Sequence, residues 1–288
     1  MEEPLGKVFK KIRTGKKMSL KDVSGDYLSV SFASKFERGE SDITLTRFLM
    51  LLNNLNVSIE EFYKLSTNET PSENEQLIGK VSQAYYNNNL LALKKYQDDE
   101  FVKYVETKSK KYLYNSIMIE SFMCSINNTE ISVESTKVLS DYLFGIEYWG
   151  KYELMIFGNA MGALPVKILT LLIDELTTKT RLFGTVDENY LAKVSILING
   201  VYACIDADEL ASARKYLDHL SDMKIPDKLL YEKFEMKFAT GLYNIKVGKA
   251  EIGKKQIENL LTVLIIMESD QLFISREDKY KHIINSNI

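Results

Sequence analysis

Helix-length amphipathic segments follow one another almost without interruption along this 288-residue chain, and they leave little room for any other kind of fold. From residue 72 onward they come in pairs. The spacing predicts inner members at 72–88, 108–126, 150–162, 187–205 and 227–247, outer members at 90–106, 132–147, 164–182, 207–223 and 249–268, and a last helix from Ser275. Only four prolines and fourteen glycines occur in the whole sequence, so few positions break or cap such helices. The expected class is all-α. Helical hairpins repeating at roughly 35 to 45 residues stack into an α-solenoid, whose inner helices line a concave groove. A plain helical bundle is the alternative.

Composition narrows the function classes. The hydrophobic fraction is 45% and the charged fraction 27%, ordinary for a folded globular protein. The net charge of −3 conceals an asymmetry: Lys7, Lys10, Lys11, Arg13, Lys16, Lys17 and Lys21 follow one another with no acidic residue between Leu5 and Lys21, whereas the remainder is acidic on balance. A local basic stripe on an acidic protein points to a small nucleic-acid-reading module joined to something else. Cys124 and Cys204 lie far apart in apolar runs and fit buried thiols of a reducing compartment. The start MEEPLGK lacks an apolar leader, and the longest apolar stretch, LLTVLIIM at 260–267, is too short to span a bilayer. A cytoplasmic location without membrane contact is expected. With only His219 and His282 available, and no phosphate loop or nucleophile elbow, the expectation is a non-enzyme without metal or cofactor.

The first 66 residues read as five short helices. Leu5, Val8, Phe9 and Ile12 share one side of the first, opposite the cations, and Gly15 ends it. Ser19 and Asp22 form a capping box for a second helix, finished by Asp26. Tyr27 and Leu28 make the turn; Ser29 caps a third helix, and Gly39 terminates it from a left-handed position. At about 100° per residue, Val30, Ala33 and Phe36 point inward and Ser31, Ser34, Lys35 and Arg38 outward, with Phe32 at their border. Hydroxyls, a long cation and one ring on a short helix after a tight turn suit the recognition element of a helix-turn-helix. Thr44 to Leu55, with Leu45, Phe48, Leu49 and Leu52 as the buried stripe, and Ser58 to Leu65, capped by Ser58 with Glu61, complete the unit. TNETPS at 67–72 is the linker, and the repeat domain occupies 73–288.

The run KKIRTGKKMSLKDVSGDYLSVSFASKFERGESDITLTRFLMLLNNLNVSIEEF resembles the repressor-type helix-turn-helix of phage repressors and many bacterial regulators. It is most similar to the Rgg/GadR/MutR regulators, whose signature resembles LSxSxxSxFERGxSxI, here LSVSFASKFERGESDI. The opening LGKVFKKIR and DYLFGIEYWGKYELMIFGNAM at 141–161 extend the likeness over essentially the whole chain. The resemblance implies that Ser29 caps the recognition helix, that Ser31, Phe32 and Lys35 face bases, and that Arg13, Ser34 and Arg38 hold phosphates; Lys10 belongs to the basic first helix that supplies further phosphate-directed charge. Glu37 is expected near the inner face, paired with a cation of the first helix. Some relatives carry a cysteine early in the fourth helix that links two protomers. This chain has none before Cys124.

The resemblance also implies a tetratricopeptide-like groove that binds a short hydrophobic signalling peptide. Only GLYNIKVGKAEIG at 241–253 looks like a segment of the tetratricopeptide consensus. Asn159 and Asn199 interrupt apolar inner helices at comparable places, and an amide offers both a donor and an acceptor to an extended backbone; the competing view is that each Asn bonds a neighbouring helix. Tyr152, Met155, Ile196, Tyr202 and Phe234 are expected to hold peptide side chains, Lys237 a peptide carboxylate, and Trp149 to adjoin the groove. The leading expectation is a homodimeric regulator on a pseudo-palindromic duplex operator, controlled by peptide. The alternatives are a helical-repeat scaffold that recruits protein, or a DNA-binding regulator without a peptide ligand.

Overall fold

The computed structural model describes residues 3–26, 28–67, 70–179 and 188–285. Tyr27, two residues of the linker, the last three positions of the helix expected at 164–182 and the first of that at 187–205 lie outside them. The described residues are helical and contain no strand. Contacts divide the chain into two compact units, Met1–Lys80 and Val81–Ile288.

The first unit holds α1 (Leu5–Gly15), α2 (Leu20–Ser24), α3 (Val30–Glu37), α4 (Leu45–Asn54) and α5 (Ile59–Ser66). Local side chains set most of these boundaries. Ser19 accepts from the Asp22 amide, and the Asp22 carboxylate accepts from the Ser19 amide in return. Ser29 Oγ accepts from Phe32 N–H at 3.2 Å and Ser58 Oγ from Glu61 N–H at 3.1 Å, each satisfying an amide that the helix itself leaves unpaired. Gly39, at φ +75°, ends α3, a conformation in which a side chain would be strained.

A row of rings, Phe9, Phe36, Phe48 and Phe62, runs through this core with centroids 5.9, 5.9 and 4.8 Å apart. Val8, Val23, Leu51, Leu52, Leu55 and Val57 close around them. Helices α1 and α3 touch so closely that a Cβ on Gly6 would stand 1.8 Å from the Phe36 carbonyl oxygen. Four positions expected inside are exposed: Leu5, Val30, Leu45 and Leu49. Each sits at the edge of its helix's apolar arc, and on α4 the buried arc is centred on Phe48, Leu51 and Leu52 instead.

After α6 (Glu73–Tyr86), opened by Ser72 and Glu75 bonding each other's amides, come α7 (Leu90–Thr107), α8 (Lys110–Asn127), α9 (Val133–Gly145), α10 (Lys151–Ala160), a 3₁₀ turn Met161–Ala163, α11 (Val166–Lys179), α12 (Glu188–Asp206), α13 (Leu210–Asp222), α14 (Leu230–Lys246), α15 (Ala250–Ile266) and α16 (Asp270–Asn285). The hairpins α7/α8, α12/α13 and α14/α15 pack tightly, and α8, α10, α12 and α14 touch in succession as one layer. The pairs expected at 187–205/207–223 and 227–247/249–268 are found as α12/α13 and α14/α15, whereas α7, expected to pair with the helix before it, packs on α8. The last helix begins at Asp270, five residues before the expected Ser275.

Candidate nucleic-acid interface and inner groove

On α3 the structure separates the two faces. Ala33, Phe36 and Glu37 are buried; Ser31, Lys35 and Arg38 are exposed, with Ser34 and Phe32 half-buried. Lys35 makes no side-chain hydrogen bond among the described residues. Arg38 donates to Glu40 at 2.6 and 2.7 Å and to Ser34 Oγ at 2.5 Å. That pair is about half exposed, 49% and 51%, so solvent weakens it and a phosphate could displace the carboxylate. Lys10 is exposed on α1 together with Lys7 and Lys11, and Lys16 and Lys17 after it and Lys21 on α2 are exposed as well.

Arg13 is the correction on this face. Its Nε and Nη2 donate to the two Glu37 oxygens at 2.6 and 2.9 Å, and Nη1 donates to the Met18 carbonyl at 2.7 Å. Both side chains are almost wholly removed from solvent, 11% and 4% exposed. The guanidinium is raised further above its ordinary range, first by the Glu37 hydrogen bonds. Arg13 therefore locks α1 to α3, with three of its five N–H donors committed inside the unit and the side chain almost wholly buried, which withdraws it from a phosphate; the cation of the first helix that Glu37 was expected to meet is this one.

The expected groove residues divide into three kinds. Ile196 and Tyr202 belong to the interior. Ile196 is 3% exposed and its Cγ1 lies 3.3 Å from where a Cβ would stand on Gly158 of α10. The Tyr202 phenol donates to Glu235 Oε2 at 2.6 Å, while Arg276 and Lys279 of α16 sit over its ring at 5.7 and 5.0 Å. Burial first, and then the Glu235 charge, hold that phenol far above its ordinary pKa. Neither side chain is open to a ligand.

Tyr152 and Phe234 are half-buried and engaged inside the fold. Tyr152 Oη donates toward the Lys111 carbonyl and Asn115 Oδ1 at 2.9 and 3.1 Å, and Asn115 donates to the buried Glu100 at 2.7 Å. Phe234 stacks on Phe238, centroids 6.1 Å apart. The Tyr152 hydroxyl is thus committed to α8, contrary to its expected role. Trp149 is fully buried, donates to the Leu143 carbonyl and meets Phe157 edge-on. It lines the core and not a groove.

Met155, Asn159, Asn199 and Lys237 remain. Asn159 is half-buried and donates to the Met155 carbonyl of its own helix at 2.7 Å, not to a neighbouring helix. Asn199 is exposed, one turn from the exposed Ser195, and its amide has no partner among the described residues. Helix α12 is enclosed by α10, α11, α13 and α14, so Ser195 and Asn199 mark its one open strip. Lys237 is exposed, with its carbonyl accepting from Gln256 of α15 at 2.6 Å. Reasoning from sequence missed Ser195; its spacing of four from Asn199 was the available signal.

Comparison with known proteins follows the same division. Residues 93–277 match the family described as "HTH-type transcriptional regulator Rgg, C-terminal domain", and residues 9–62 match a helix-turn-helix family. The chain is similar to the SHP pheromone receptor Rgg2 of Streptococcus dysgalactiae, at 28% identity over 96% of this chain and 99% of that one, with a TM-score of 0.82. In fold it is also similar to PrgX in its complex with cCF10, at 16% identity over 99% and 93% of the two chains and a TM-score of 0.76. With 185 of its 288 residues inside the Rgg domain (277 − 93 + 1) and a helix-turn-helix ahead of it, the chain belongs to the Rgg family of helix-turn-helix transcriptional regulators.

Proposed function

We propose that this regulator is controlled by a short hydrophobic peptide held along the inner layer, and that it works in the cytoplasm as a homodimer on a pseudo-palindromic operator. Residues 1–66 form the DNA-binding domain, 67–72 the linker and 73–288 the sensing and dimerising domain. The observation that carries the reading is the open, unpartnered amide of Asn199 on the one uncovered strip of an inner helix. Its donor and acceptor match the N–H and C=O of an extended chain. The likeness to a pheromone receptor over nearly the full length supports the same ligand class.

For the peptide arm, full-length protein is titrated by calorimetry with a synthetic peptide encoded by a short reading frame beside the gene. Asn199→Ala lowers its affinity about ten-fold, the worth of a lost hydrogen-bonded pair, and leaves the thermal midpoint unchanged. Undiminished binding by the variant would remove Asn199 from the site. The absence of any saturable signal with the parent protein favours a regulator without a peptide ligand. Since a bound peptide shifts activity only by binding two states unequally, its affinity must also differ between free and DNA-bound protein.

Ser31, Lys35 and Phe32 read base edges in this proposal, while Lys10, Ser34 and Arg38 hold phosphates and Ser29 fixes the start of the reading helix. In the dimer two such helices lie one turn of DNA apart, about 34 Å. Exposed apolar side chains on the adjoining α4 and α5, Leu45, Leu49, Ile59, Tyr63 and Leu65, support pairing of this domain with a second copy. Lys35→Ala reduces discrimination between operator and random duplex by about ten- to a hundred-fold, as for one good base contact. Footprinting across a salt series reads this out; if the parent protein protects no sequence at any salt concentration, the protein-recruiting scaffold is the better account.

A further inference from the structure

The five arginines among the described residues fall into two groups. Arg13, Arg38, Arg214 and Arg276 each face a carboxylate, that of Glu37, Glu40, Asp218 and Glu235. Arg47, exposed on the first turn of α4, has no acidic or carbonyl partner among the described residues. Its guanidinium lies over the ring of Phe32, 5.8 Å from the centroid. Phe32 is the third residue of α3, half-buried and outside the core cluster.

We propose that Arg47 is a positioning residue for sequence readout: by stacking on Phe32 it holds that ring in one orientation at the start of α3, aimed at the 5-methyl group of a thymine in the major groove. This rests on α3 being the DNA-reading helix. The backbone of Phe32 is already fixed, because its N–H donates to Ser29 Oγ at 3.2 Å. What remains is rotation of the side chain, and a half-buried ring loses that freedom when it docks. A flat cation on one face removes it in advance. The residues at the N-terminal end of a recognition helix are those that reach base edges, and a thymine methyl is the apolar group available there. A carboxylate beside Arg47 would pull the guanidinium off the ring; none is present among the described residues.

The test selects operator duplexes from a random-sequence library with full-length protein, then replaces each thymine of the enriched sequence singly with uracil, which removes only the methyl. The parent protein loses about four-fold at one thymine per half-site, the worth of one buried methyl. In Arg47→Ala that penalty disappears and affinity for the unmodified operator falls; Phe32→Ala behaves the same, and the double variant is no worse than either single one. Arg47→Lys keeps a cation over the ring and retains most of the penalty. Circular dichroism confirms that the variants are folded.

A uracil penalty that survives Arg47→Ala, with the salt slope lowered by about 0.9, makes Arg47 a simple phosphate contact and overturns the proposal. So does the absence of any uracil penalty in the parent protein. A penalty that survives Phe32→Ala removes Phe32 from the bases, and failure to enrich any duplex removes the DNA-reading assignment itself; the proposal falls in both cases, for distinguishable reasons.

Discussion

Arg13→Ala should destabilise the DNA-binding unit by about 3–5 kcal/mol, the range for removing one partner of a buried ion pair. Three short hydrogen bonds leave with the guanidinium, two to Glu37 and one to the Met18 carbonyl. The larger cost is what stays behind: a Glu37 carboxylate only 4% exposed, with its counter-charge gone. Domains of this size are stabilised by about 0.05–0.15 kcal/mol per residue, so the loss consumes much of what holds the first unit together. Arg13→Lys keeps the charge but not the two-pronged geometry and falls between the two. Hydrogen exchange resolved by segment is the suitable measurement, because the single tryptophan, Trp149, belongs to the other unit. Protection should fall through α1 and α3 while α8 to α16 are unchanged. If stability is instead unaltered and only the salt dependence of DNA binding drops, by about 0.9 in log–log slope, Arg13 is a phosphate contact after all.

Why the sequence assigned Arg13 to DNA is instructive. On the α1 wheel it stands near Lys10 and one turn from Phe9, at the border between the two faces, and nothing within α1 distinguishes it from its neighbours. Glu37 was legible as an inward-facing acid on α3, and a partner on α1 was expected for it. The missing step was which cation, and that is fixed only by the close approach of α1 and α3 at Gly6, against the Phe36 carbonyl. Features set by a few neighbouring residues were readable: the capping pair Ser19 and Asp22, the cap at Ser29, the left-handed Gly39, and the succession of helices along the chain, though not which neighbour α7 pairs with. Features set by the number of packing partners were not. Periodicity gives an apolar arc but not which part of it the neighbouring helices cover, so Leu5, Val30, Leu45 and Leu49 were drawn inside, and on α4 the covered part is shifted toward Leu51.

The same limit explains the groove. A helix in a two-layer hairpin bundle that also stacks on both neighbours is covered on three sides, and the uncovered side is about one residue wide per turn. On α12 that strip carries Ser195 and Asn199. Positions only three residues away, Ile196 and Tyr202, already face α10 and α14. An Asn in an apolar run was therefore a usable signal, whereas an aromatic or aliphatic residue beside it was not, since both core and groove use them.

Glu235→Ala should have the other large effect, again about 3–5 kcal/mol, this time in the helical unit. Glu235, on α14 and 3% exposed, is where three helices meet: Tyr202 of α12 donates to it at 2.6 Å, and Arg276 of α16 at 2.8, 2.9 and 3.0 Å. Lys279, one turn beyond Arg276, reaches Asp206 of α12 at 2.9 Å, a more exposed pair that contributes little by itself. Truncating Glu235 leaves a largely buried guanidinium without a counter-charge and a buried phenol without an acceptor, and either alone is costly. Glu235→Gln still accepts hydrogen bonds but lacks the charge, so it should lose less. Hydrogen exchange should report the first opening in α16, because it has the fewest other contacts to α14, and denaturant titration the total. Equal protection of α16 in the parent and in Glu235→Ala would mean that apolar packing, chiefly around the buried Ile283, and not the carboxylate, holds the last helix. Tyr202 is three residues from Asn199, so loosening this junction also frees the strip on which the proposed peptide rests: Glu235→Ala should weaken peptide binding, although no atom of Glu235 is assigned to the ligand.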